Sequence, residues 1–191
     1  RLSVQKFFAP KGVGALFDRE VQERTLIAPR TFGGGQEKGL RAGTLNVPGI
    51  VGMGAASALA RKQLQIWQEH ICQLRDLFEL SLFQELDDIS TNGCPNTRLP
   101  HISNIAFHRA DNEGLLTMLP ELVASTGSAC HVADFAPSHV LTALPLTRNT
   151  TACSLRFGFG KDNTEDEIRL ATKLICAVVD DLRLEAGVMQ Q

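Results

Sequence analysis

Apolar positions recur at helical spacing over one long stretch of this chain and alternate over several short ones. Ile50, Met53, Leu59, Leu64, Trp67, Ile71, Leu74, Leu77, Phe78 and Leu82 keep a helical period from Pro48 to about Leu86. A helix of that length predicts a bend between two packed bodies. Near the end, Ile168, Ala171, Leu174, Ile175, Val178, Val179 and Leu182 line one face of a second helix. Its start carries Thr164-Glu165-Asp166-Glu167, in which hydroxyl and carboxylate can satisfy each other's free N–H groups.

Between these helices the pattern shortens. Ile102 to His108 and Ser154 to Phe159 read as strands, as do Val13 to Phe17, buried between glycines, and Leu122 to Ser125. Glu113 to Leu119 reads as a short helix before Pro120, and Pro137 to Leu144 as another stopped by Pro145. Pro29 to Gly43 and Asn92 to Leu99 are rich in turn residues and read as loops. The chain is therefore α/β, in two parts, residues 1–62 and residues 63–191. The second has the makings of a small α+β domain.

Composition changes little. The 191 residues are 43% hydrophobic and 21% charged, with a net charge of −2. These values suit a globular protein and give no basis for nucleic-acid or membrane-surface binding. No apolar run approaches the roughly 20 residues of a membrane helix. Five cysteines (72, 94, 130, 153, 176) fall in no metal-ligand spacing and their number is odd. They read as reduced thiols, and no metal site is expected. Cys72, Cys153 and Cys176 fall in helix or strand patterns and read as packed. His101, His108 and His139 read as surface or packed histidines.

Three residues stand out chemically. Cys130 lies in Ser125-Thr126-Gly127-Ser128-Ala129-Cys130, a run of small residues suited to an accessible loop. Taken alone, such a cysteine is more often structural than catalytic. Lys6 lies in Lys6-Phe7-Phe8-Ala9-Pro10-Lys11-Gly12, just ahead of a turn. Taken alone, it is an ordinary surface lysine. Arg156 stands in a strand between apolar neighbours, where a guanidinium is costly to bury without a partner.

Four segments together alter those odds. Ser3-Val4-Gln5-Lys6-Phe7-Phe8-Ala9-Pro10-Lys11-Gly12-Val13-Gly14-Ala15-Leu16 resembles the cofactor-lysine segment of the cysteine desulfurase and selenocysteine lyase family, usually SGHKxxGPKGxGALY. These are pyridoxal-phosphate enzymes of the class V aminotransferase group. Gly33-Gly34-Gly35-Gln36-Glu37-Lys38-Gly39-Leu40-Arg41-Ala42-Gly43-Thr44 resembles that family's GGGxExxxRxGT loop. Ser128-Ala129-Cys130, followed by Pro137-Ser138-His139-Val140-Leu141, resembles its catalytic-cysteine loop and the next helix. Ser154-Leu155-Arg156-Phe157-Gly158-Phe159-Gly160 resembles its substrate-carboxylate strand. The order and spacing also fit, over nearly the whole chain.

The resemblance implies a set of roles. Lys6 would attach pyridoxal 5′-phosphate covalently. Ser3 and Gln5 would hold its phosphate, helped by Thr44 reaching over from a second copy in a homodimer. Arg156 would bind the carboxylate of L-cysteine. Cys130 would take its sulfur as a persulfide, leaving L-alanine, and pass it to a sulfur-acceptor protein. His131, beside the nucleophile, also resembles the selenocysteine lyases, which act on L-selenocysteine. Arg41 would serve the interface or the substrate.

Two departures from the family bear on the cofactor. Gln5 replaces a histidine and cannot carry charge toward the phosphate. Val4 replaces a glycine, which would crowd the site if that position required positive φ. The family's ring-stacking histidine and its pyridine-nitrogen aspartate fall outside the matched segments. The chain is accordingly expected to be the C-terminal part of a fold type I pyridoxal-phosphate enzyme: residues 1–62 the remnant of the large cofactor domain, residues 63–191 the small domain. A non-catalytic homologue that dimerises with or regulates a longer partner is the alternative. Little or no turnover is expected of the 191 residues alone. The expected compartment is the cytoplasm, or an organelle matrix if a transit segment precedes the chain.

Overall fold

The structure, a computed structural model, describes residues 2–17, 27–126 and 138–188. The Cys130 loop, with His131 and Pro137, lies outside the described residues. Two compact units divide the chain, Arg1–Gln65 and Ile66–Gln191.

The first unit is built on a hairpin. β1 (Leu2–Ser3) pairs antiparallel with β2 (Gly14–Ala15), Leu2 opposite Ala15 and Ser3 opposite Gly14. Gly14 is required there: a Cβ would sit 2.7 Å from the Leu2 carbonyl oxygen. A 3-10 turn, Val4–Phe7, follows β1 and ends at Phe8, whose φ of 69° is left-handed. Val4 is fully buried, its N–H donates to the Val13 carbonyl and its own carbonyl accepts from Ala9. The valine that departs from the family pattern thus anchors the turn, with none of the positive φ that would have strained it. The strand expected over Val13 to Phe17 shrinks to two residues, because β1 offers only two partners. Leu16 and Phe17 are exposed where the sequence predicted burial.

α1 (Val47–Glu85) is one uninterrupted helix of 39 residues. Its first turn packs on the hairpin: a Cβ on Gly49 would meet the Val13 side chain at 2.3 Å, and one on Gly52 would meet Pro10 at 3.0 Å. Residues 47–65 of α1 belong to the first unit and residues 66–85 to the second.

The second unit is an antiparallel sheet with residues 66–85 of α1 and a C-terminal helix packed on one face. Its strands are β3 (Ile89–Thr91), β4 (Ile102–Phe107) and β5 (Ser154–Gly158), in the order β3-β4-β5. Alternation sends Ile105, Phe107, Leu155 and Phe157 to the helical side, where Leu74, Phe78 and Leu82 of α1 meet them. Phe78 meets Phe157 at a tilt and Phe159 edge-on, with ring centroids 4.9 and 5.5 Å apart. α5 (Glu165–Val188) closes the core with Ile168, Ile175 and Val179. α2 (Asn112–Met118) is capped by Asp111, which accepts from the Gly114 N–H at 2.7 Å. Glu79 of α1 receives both Nη groups of Arg98, at 2.6 and 2.7 Å, and the Ser103 hydroxyl at 2.6 Å.

Three expectations need correction in this unit. Leu122 to Ser125 is not a strand: the Leu122 N–H is taken by the Leu119 carbonyl in a turn, and only Ser125 pairs, in a single bridge to Arg156. The in–out alternation is real, with Leu122 and Ala124 on the core and Val123 exposed, but it supports no ladder. The helix expected from Pro137 to Leu144 is α3 (His139–Thr142), a single turn. Cys72 is half-buried and lies outside the core cluster, whereas Cys176, also half-buried, packs against that core and Cys153 is buried, both as expected. The sequence reading also missed β3, only three residues long, and α4 (Arg148–Ala152). α4 is polar and β-branched, and its one signal is Thr147, whose hydroxyl accepts from the Thr150 N–H at 3.1 Å.

The capping box of α5 forms as the sequence predicts. The Glu167 N–H donates to the Thr164 hydroxyl at 3.3 Å, and Glu167 Oε2 accepts from the Thr164 N–H at 2.9 Å. That N–H, then the Asn163 amide, holds the Glu167 carboxyl below its usual range. A depressed folded-state pKa contributes stability above the unfolded value, lost as pH falls through the folded one. Thr164→Ala should therefore lower the urea midpoint by an amount corresponding to about 1 kcal/mol. Glu167→Gln should remove part of the loss of stability on acidification. Unchanged midpoints in both variants across pH would contradict this account.

Candidate active site

Two groups of predicted site residues occur, one in each unit. In the first, Lys6 is exposed on the 3-10 turn that Val4 anchors. Ser3 and Gln5, on either side of Val4, line an open groove with Gly12, Val13 and Gly14. No hydrogen bond or ion pair engages Ser3, Gln5 or Lys6 side chains among the described residues. The groove offers a hydroxyl, a carboxamide and glycine backbone, and Lys6, exposed next to Gln5 in sequence, is not among its lining residues. That donor set suits a ligand with an aldehyde at one end and a phosphate at the other.

The glycine-rich loop is held from within. Arg41 Nη1 donates to the carbonyls of Gly43 (3.1 Å) and Thr44 (3.2 Å), and Gln36 Oε1 accepts from the Gly43 N–H at 3.1 Å. Arg41 therefore braces its own loop. Gly33, Gly39 and Gly43 take positive φ, as do Glu37 and Lys38 in the intervening turn. Thr44 is left exposed, its hydroxyl without a hydrogen-bond partner among the described residues.

In the second unit Arg156 sits mid-strand on β5, on the face opposite α1 and α5. Its backbone N–H donates to the Ser125 carbonyl at 2.7 Å, and its carbonyl accepts from the Ser125 N–H at 3.1 Å. The side chain is half-buried, and among the described residues its guanidinium has neither ion pair nor hydrogen bond. Ser125 is five residues ahead of Cys130. Chain geometry alone keeps the Cys130 Cα within about 18 Å of the Ser125 Cα.

The same face carries a polar network absent from the sequence reading. Asn92 Nδ2 donates to Asn104 Oδ1 at 2.6 Å and to the Ser154 hydroxyl at 2.8 Å, and that hydroxyl donates to the Thr150 carbonyl at 2.5 Å. Alternation along β4 could have exposed Asn104, an amide at a position flanked by Ser103 and Ile105. Beside the network is a recess of about 140 Å³ lined by Asn92, Arg98, Leu99, Ile102 and Asn104. Arg98 Nε is buried there with no hydrogen-bond partner among the described residues.

The described thiols differ in character. Burial pushes the Cys153 and Cys176 thiols up. The exposed Cys94 thiol is pulled down, first by the Thr97 hydroxyl and then by nearby backbone groups. Among the described residues there is no group of three or more His, Cys, Asp or Glu placed to hold a metal ion. No helix among them is long and apolar enough to cross a membrane.

The sequence profile described as aminotransferase class-V matches residues 1–170, and the chain belongs to that family. It is 40% identical over 182 residues to the cysteine desulfurase IscS of Anaeromyxobacter dehalogenans, covering 95% of this chain and 45% of that protein. To the cysteine desulfurase IscS of Vibrio cholerae serotype O1 (strain O395) it is 41% identical over the same shares. The α/β fold matches a solved NifS-like protein with a TM-score of 0.78 and 29% identity, over 93% of this chain and 45% of that one. The chain spans under half the length of the relatives it matches.

Proposed function

We propose that this chain carries the substrate-carboxylate site and the sulfur-accepting cysteine of a pyridoxal-phosphate-dependent cysteine desulfurase, with L-cysteine as substrate. The observation that supports it is the half-buried guanidinium of Arg156, unpartnered among the described residues and bridged through its backbone to the segment leading to Cys130. The relatives at 40–41% identity are cysteine desulfurases, in agreement with this reading.

In this reading residues 1–62 are the remnant of the cofactor domain and residues 63–191 the small domain. Lys6 holds pyridoxal phosphate covalently, and Ser3, Gln5 and a second copy's Thr44 supply donors to its phosphate. Bound there, the cofactor supplies the electron sink that lets the substrate's C–S bond break. Arg156 grips the substrate carboxylate as a two-pronged donor and fixes which end of the amino acid faces the cysteine loop. Cys130 reacts as its thiolate with the substrate sulfur. The substrate's C–S bond breaks, an S–S bond forms on Cys130, and the β-carbon gains a proton to give L-alanine. The outer sulfur then passes to a thiolate of an acceptor protein, breaking the S–S bond and restoring the Cys130 thiolate, in the cytoplasm or an organelle matrix.

A chimera joining the upstream half of the Anaeromyxobacter relative to this chain provides the test. Loaded with pyridoxal phosphate and reduced with borohydride, it should yield a pyridoxyl group on the Lys6 peptide. A label on Lys11, or on no peptide of this chain, would remove Lys6 from its role.

A further inference from the structure

We infer that Asn104 is a second donor to the substrate carboxylate, standing beside Arg156 with its amide orientation set by Asn92. The inference rests on the reading of Arg156 as the carboxylate residue and deepens it.

Register supplies the first half of the case. Asn104 on β4 lies directly opposite Arg156 on β5. Both backbone groups of Arg156 are turned to Ser125, so neither bonds across to Asn104. The two therefore form a pair not bridged by backbone hydrogen bonds. In such antiparallel pairs the Cα atoms approach to about 4.5 Å and the side chains, on one face, lie closest. The Asn104 carbonyl accepts from the Asn92 N–H on its other edge, in agreement with that pattern.

Proton bookkeeping supplies the second half. The Ser154 hydroxyl has one proton, and the Thr150 carbonyl takes it. Toward Asn92 that oxygen can only accept, so the Asn92 atom facing it is the NH₂. The same NH₂ faces Asn104, and the Asn104 atom that meets it is the oxygen. Asn104 therefore turns its own NH₂ away from Asn92, and no described residue accepts from it. A half-buried amide donor and a half-buried guanidinium, both unpartnered among the described residues, share one face at adjacent positions. A ligand with two anionic oxygens in a plane satisfies both, and an α-carboxylate is such a group.

The test is binding of L-alanine, the expected product, to the isotopically labelled chain, followed by NMR, with alaninamide as the control lacking a carboxylate. The side-chain NH₂ signals of Asn104 should shift with L-alanine and not with alaninamide. Asn104→Asp keeps the acceptor for Asn92 and removes the donor, so it should weaken L-alanine binding by roughly tenfold or more. Arg156→Gln should weaken it at least as much. Loss in Arg156→Gln with Asn104→Asp unchanged, and no shift of the Asn104 amide, would overturn this inference and leave the Arg156 reading intact. Binding unchanged in both variants, or no carboxylate-dependent binding to the unaltered chain, would overturn both. Should Asn104→Asp fail to fold, the amide shifts of the unaltered chain decide alone.

Discussion

Cys130→Ala in the chimera should abolish persulfide formation from L-cysteine and leave the cofactor's visible absorption in place. In the proposed function the cofactor attaches at Lys6 and the thiol acts only on substrate sulfur, so the two outcomes should separate. Three of the described cysteines are poorly placed to substitute. The Cys153 and Cys176 thiols are pushed up by burial, which disfavours the thiolate. Cys94 is exposed and its thiol is pulled down by the Thr97 hydroxyl, but it lies in the turn between β3 and β4, with no bridge to Arg156. Sulfide release from L-cysteine at the unaltered rate would remove Cys130 as the essential carrier. Selenide release from L-selenocysteine that survived the substitution would point to the lyase chemistry that His131 resembles.

Arg156→Gln should cost about 2–4 kcal/mol in kcat/KM, or roughly 30- to 1000-fold. Arg156→Lys should also be impaired, since it keeps the charge and loses the planar fork. Neither change should unfold the second unit, because Arg156 contributes its backbone to the Ser125 bridge and no side-chain hydrogen bond among the described residues. Steady-state kinetics with L-cysteine, beside urea denaturation of both variants, checks the two halves together. Near-normal kinetics in Arg156→Lys would make the residue structural.

Long-period features were legible in the sequence and short ones were not. α1, α5 and the alternation of β4 and β5 repeat over enough residues for the pattern to exceed local noise, and the Thr164–Glu167 box specifies its own partners. β3 escaped because three residues carry no period. Leu122 to Ser125 misled because alternation records burial, while a strand also needs free N–H groups, and the Leu122 N–H is spent in a turn. Leu16 and Phe17 read as buried because their apolarity is visible and their covering is not. At the candidate site, the residue types of Lys6, Arg156 and Cys130 could be read directly, but their juxtaposition could not. That Arg156 is held to Ser125 on one edge and faces Asn104 on the other depends on register, set by pairing 31 to 52 residues away in sequence.

The most direct test is the location of the transferred sulfur. The chimera, loaded with pyridoxal phosphate and given L-cysteine without an acceptor, is alkylated, digested and mapped by mass spectrometry. The sulfane sulfur should lie on the peptide containing Cys130, and should accumulate there roughly 30- to 1000-fold more slowly when Arg156 is replaced by glutamine. Sulfur on the Cys94 peptide, or L-alanine formed with no sulfur on any cysteine of this chain, would contradict the account.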